Sequence, residues 1–183
     1  MEAVTDPALR QLLDSARSSE SSRSRAGFGA LQRHRTEDAT LVGLLADLAE
    51  CRAFVALTTI TGTERRGTIS RAGLFGIVLQ KSQTDASLIR TAAIASVRSV
   101  SHLRLDGDGF PQASTSWPTF LSSHIELGEE ISLIVSAQHL TGNVVSLNRS
   151  LLVLGTPDGG AFYAVVDEID EVSIRVPGSI RHD

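Results

Sequence analysis

Aromatic side chains are scarce in this sequence: six Phe, one Tyr and one Trp make up 4% of 183 residues. Its cores must therefore be built from Val, Ile, Leu and Ala, and single-stranded nucleic acid finds few rings to stack on. The one cysteine, Cys51, excludes a disulfide within the chain and fits a reducing compartment. Lying before a predicted strand at a partly apolar position, it reads as a buried structural thiol rather than a reactive one. No charged-then-apolar leader opens the sequence, and no apolar run approaches the roughly 18 residues of a membrane span. The expectation is a cytoplasmic protein with no membrane partner.

Familiar catalytic patterns are missing too. The five histidines, His34, His102, His124, His139 and His182, have no metal-ligand spacing with Cys51 or with acids. There is no Gly-x-Ser-x-Gly elbow, no glycine-rich phosphate loop and no pair of acids in an apolar setting. The alternating Asp106-Gly107-Asp108-Gly109 lacks the further acids and terminal Glu of a calcium loop. These absences point to a non-enzyme without metal or cofactor.

What the sequence does contain is a repeat. Displaced by 75 positions, Gly67 falls on Gly142, Ile77-Val78-Leu79 on Leu152-Val153-Leu154, Ile94 on Ile169 and Val97 on Val172. Upstream, Leu45, Val55 and Leu57 fall on Leu121, Ile131 and Leu133 at a displacement of 76, so one residue is lost in the first hairpin turn. Internal self-similarity on this scale decides the architecture. Two units of roughly 60 residues lie near the lower limit for an independent core and lean on each other or on a partner.

In chain order, residues 1–35 supply an N-terminal helix over 4–17, capped by Asp6 with Pro7 in its first turn, and a flexible Ser/Arg linker at 18–25. A first unit spans 36–100, a turn-rich linker 101–116, a second unit 117–176 and a polar tail 177–183. Each unit opens with a short helix. The first begins at Thr36 or Asp38 and carries Leu41, Leu44, Leu45 and Leu48; the second runs from Trp117 to Glu126. Five short strands follow in each: 54–60, 66–70, 74–80, 87–90 and 94–100, then 130–136, 142–146, 150–155, 161–165 and 169–174. Gly67 and Gly142 mark a bulge or sharp bend in the second strand. Five short bent strands behind a helix predict a small barrel.

The helix, the five strands, the second-strand glycine and the closing apolar-x-x-Ile-x-x-Val phrase resemble the Sm-like family. Val55, Leu57, Gly67, Ile69, Ile77, Val78, Leu79, Ile94 and Val97 carry the likeness in the first copy. Ile131, Leu133, Gly142, Val144, Leu152, Val153, Leu154, Ile169 and Val172 carry it in the second. The resemblance covers residues 40–100 and 117–175 and implies two tandem Sm-like barrels; other small SH3-like barrels share much of the pattern. It also implies ring assembly and RNA binding. The family's pocket residues are not carried over: Phe75 stands at the bulky position of the first motif, but Gly76 and Leu151 occupy the Asn positions. Arg90 is the single basic residue of the second motif in copy one, and Asp167-Glu168 stand there in copy two.

Charge is unevenly spread. Residues 36–100 carry seven basic and six acidic residues, whereas 117–183 carry three basic and nine acidic. Candidate phosphate contacts are Arg65, Arg66 and Arg71, read as one rim of the first barrel, with Arg90 near the turn after strand four. Asp167, Glu168, Asp170 and Glu171 form an acidic cluster suited to a solvated face or a protein partner. Two functions follow: a binding or scaffold module that self-associates through strand edges or recruits a protein partner, and a nucleic-acid-associated regulator using the arginine rim. Free edges could pair within the chain, in a back-to-back dimer, or head to tail in a ring of three chains.

Overall fold

Both repeats start with a hydroxyl cap. In the computed structural model, which describes residues 40–99, 107, 109–111 and 116–175, Thr40 Oγ1 accepts the Gly43 N–H at 3.0 Å and opens helix α1 (Leu41–Glu50). Ser116 Oγ accepts the Thr119 N–H at 3.3 Å and opens helix α2 (Trp117–Ser122), with Pro118 in its first turn. The α1 cap is thus Thr40 rather than Thr36 or Asp38. Helix α2 stops four residues short of the expected Glu126. There the Ser122 and Ser123 hydroxyls donate to the Thr119 and Phe120 carbonyls, local bonds that compete with a continuing helix. The helix expected over 4–17, the linker at 18–25 and the tail lie outside the described residues.

Ten antiparallel strands follow the caps: β1 (Phe54–Thr59), β2 (Glu64–Ala72), β3 (Gly76–Gln80), β4 (Asp85–Arg90), β5 (Ile94–Ser99), β6 (Glu130–Val135), β7 (Gln138–Leu147), β8 (Leu151–Gly155), β9 (Ala161–Val165) and β10 (Ile169–Arg175). They form one open sheet in the order β5-β1-β2-β3-β4-β10-β6-β7-β8-β9. The protein is mainly β with two short helices among the described residues, which all fall in one compact unit.

The irregularities repeat as well as the strands. Between β2 and β3 the register runs from Ile69↔Leu79 to Arg71↔Val78 and skips Ser70; between β7 and β8 it runs from Val144↔Leu154 to Ser146↔Val153 and skips Val145. An extra residue on one strand bends it and sharpens its twist. The same shift recurs at Ala95 in β5 and Asp170 in β10. A methyl group on Gly67 would overlap the Gln80 carbonyl, and one on Gly142 the carbonyl of Gly155, its counterpart. The lost residue lies in the first hairpin, where Ile60–Gly62 is answered by Ser136-Ala137 alone. Both of those residues take left-handed φ values, 47° and 67°, as a tight two-residue turn requires.

Two apolar clusters result. One combines Leu45 and Leu48 of α1 with Val55, Leu57, Ile69, Ile77, Leu79 and Ile89. The other combines Leu121, Ile131, Leu133, Leu152, Leu154 and Val172 with Val78, Ala86 and Leu88 from the first repeat. Cys51 is the C-cap of α1 and is exposed, not buried as expected, because it falls after the last helical turn and before β1 begins. Gly67→Val and Gly142→Val should each cost about 2 kcal/mol through overpacking, lowering Tm by roughly 4–8 °C. An unchanged melting curve for either variant would show that these close approaches do not constrain the fold.

Candidate functional site at the seam between the repeats

Strands β4 and β10 join the two repeats. They run antiparallel from Asp85↔Arg175 to Ile89↔Glu171, and Val172 lies opposite Leu88. β10 therefore has β6 on one side and β4 on the other, while β5 and β9 are left at the two ends of the sheet.

At the centre of this seam a carboxylate is buried. Glu171 is 1% exposed and receives Arg65 Nε on both oxygens at 3.0 and 2.8 Å. Ser87 Oγ donates to its Oε1 at 2.6 Å, and Lys81 Nζ does so at 3.3 Å. Burial pushes the Glu171 pKa up, but the Ser87 hydrogen bond, the Lys81 and Arg65 charges and the Arg65 hydrogen bond together hold it below the usual glutamate value. Two cations and one hydroxyl of the first repeat thus satisfy one acid of the second.

The predicted site residues are dispersed by this arrangement. Arg65, Arg66 and Arg71 do not share one rim, since successive residues on a strand face opposite sides and the Ser70 bulge resets the alternation. Arg65 is drawn into the seam, whereas Arg66 pairs with Glu64 at 2.6 Å in the open. Arg90 reaches the second repeat by donating to the Asp167 carbonyl. Arg71 is exposed and lines a groove together with Arg52 and Arg175. The acidic cluster divides as well: Asp167 and Glu168 are exposed in a 3-10 turn, Val166–Glu168, while Asp170 and Glu171 are buried. Burial pushes the Asp170 carboxyl up, partly offset by Arg90. Of the acids read as one surface, Glu171 is an internal partner of Arg65.

Lys81, Ser87, Arg52 and Arg175 were not singled out by sequence for these places. A signal existed for Ser87: a serine in mid-strand where the other copy has Phe162. The absence of a side chain at Gly76 has a local cause. A side chain there would overlap the rings of Trp117 and Phe120, which stack at 5.6 Å and cap this end of β3 from the second repeat.

Among the described residues no helix is long and apolar enough to cross a membrane, and no group of three His, Cys, Asp or Glu residues is placed to hold a metal ion. Comparison with protein-family models and with curated proteins returns no match.

Truncating one member of a buried ion pair strands its partners, so Glu171→Ala should lose about 3 kcal/mol. Because the folded pKa of Glu171 is depressed, its contribution is complete above the unfolded value of about 4.3. It is lost as the pH falls through the lower folded value. The gap between the urea melts of wild type and Glu171→Gln should therefore narrow as the pH falls below about 4.3; a gap that stays constant with pH would show that the carboxylate charge is not what stabilises the seam.

Proposed function

We propose that the chain is a non-enzymatic scaffold of two tandem Sm-like barrels in which β4 and β10 make within one chain the joint that also links one chain to the next. The observation that carries this reading is a difference between equivalent residues. Leu88 in β4 is fully buried under the second repeat, while its counterpart Tyr163 in β9 is 71% exposed. Phe162 and Val165 on the same edge are 41% and 50% exposed, an apolar strand end that folded proteins ordinarily cover. β5 is the counterpart of β10 and forms the other end of the sheet.

Moving the seam's register along the repeat sets β5 of one chain against β9 of another, with Val97 facing Tyr163 and Ser96 facing Ala164. The buried ion cluster does not recur there. Glu171 corresponds to Ser96, and Arg65, Lys81 and Ser87 correspond to Leu140, Thr156 and Phe162. A β10 strand docked on β9 would bury Glu171 beside Leu140 and Phe162 with no cation, at a cost of several kcal/mol. The joint between chains therefore accepts β5 and rejects β10, which fixes a head-to-tail direction. Head-to-tail joints of one kind close into rings when the rotation permits, and three chains would make six repeats.

Light scattering should give about three times the 19.5 kDa chain mass. Tyr163→Glu should reduce it to the single-chain value with an unchanged far-ultraviolet spectrum. A wild-type protein that stays single at micromolar concentration would sink the scaffold reading. So would an assembly whose mass Tyr163→Glu leaves untouched.

A further inference from the structure

A groove of about 870 Å³ opens over the β4–β10 seam, between β2 and β3 of the first repeat and the stretch that follows α2 in the second. That volume is in the range of small-ligand sites. Ala86 and Ile174, opposite each other in the seam, belong to its floor. Three exposed guanidinium groups surround it, those of Arg52, Arg71 and Arg175, and among the described residues none of them forms an ion pair. Acids stand nearby too. Glu129 accepts the Glu126 N–H at 3.1 Å, and Asp85, the acid opposite Arg175, accepts from Ser82 and Thr84. Glu126 remains at the groove's edge.

The repeat provides an internal control. At the displacements that superpose the two copies, Arg52, Arg71 and Arg175 correspond to Gly128, Ser146 and Val100. None of the three guanidinium groups is required by the shared fold, and all three line one groove. No Phe, Tyr or Trp lines it, so a base would find no such ring to stack on.

We infer that this groove binds a phosphate-bearing ligand, with the phosphate held by Arg52, Arg71 and Arg175. Guanidinium forks match phosphate oxygens in pairs. The same chemistry is offered by a free sugar phosphate and by the backbone of single-stranded RNA.

Titration of the full chain with ribose 5-phosphate and with a short single-stranded RNA, at low salt, tests the site and separates the sources. Saturable binding of either probe is expected, weakened about tenfold by Arg71→Ala or Arg175→Ala and unaffected by Arg66→Ala outside the groove. Binding of ribose 5-phosphate alone identifies a free ligand. Tighter, salt-dependent binding of the RNA identifies a backbone. Failure of both probes to bind, or an equal loss in Arg66→Ala, overturns the site. The groove lies within one chain, so binding should persist in Tyr163→Glu whatever the assembly state.

Discussion

One antiparallel ladder, β4 against β10, organises the described molecule. Without it the ten strands would be two separate sets of five, each with an uncovered edge and a small core. The ladder supplies backbone pairing, and the side chains around it supply selectivity. Val78, Ala86 and Leu88 extend the second apolar cluster into the first repeat, while Glu171 demands three donors that only the first repeat presents. Apolar burial favours joining in general; the buried carboxylate favours joining in this register, because a slip by one residue would turn Glu171 to the other face.

Duplication explains why such a seam can be specific without loss of the common fold. Positions that shape the backbone are held in both copies: the hydroxyl caps, Gly67 and Gly142, and the skipped residues Ser70 and Val145. Positions that face the seam have diverged, with Arg65 answered by Leu140 and Ser87 by Phe162. Change is tolerated where a side chain meets a different neighbour and resisted where it meets its own backbone.

Local structure was legible in the sequence for the same reason. Period-two alternation and turn residues located all ten strands to within a few residues, and the displaced copy confirmed which glycines bend them. The pairing across the repeats was less legible, because its chemistry is distant along the chain. Glu171 meets partners 84, 90 and 106 residues away, and nothing adjacent distinguishes it from Asp167 or Glu168, which remain in solvent. Arg65 and Arg66 likewise look alike in sequence; strand alternation sends one into the seam and leaves the other outside. The groove drew on residues too scattered to form a motif, Arg52 after a helix, Arg71 beyond a bulge and Arg175 at a strand end.

The span between Asp85 and Arg175 has a consequence for biosynthesis. Hairpin pairings within the first repeat can form as soon as its strands leave the ribosome, since each strand follows its partner closely. The partner of β4 is the last strand described in the chain. During the interval, Leu88 and the cluster of Arg65, Lys81 and Ser87 face water, and the edge is open to any strand that arrives first. Nascent chains on one message present the matching β10 in trans, so a folding chain is exposed to strand exchange with its neighbours until its own second half is complete. The unmatched Arg65 and Lys81 beside that waiting edge disfavour an apolar intruder and keep the position for a strand bearing a carboxylate.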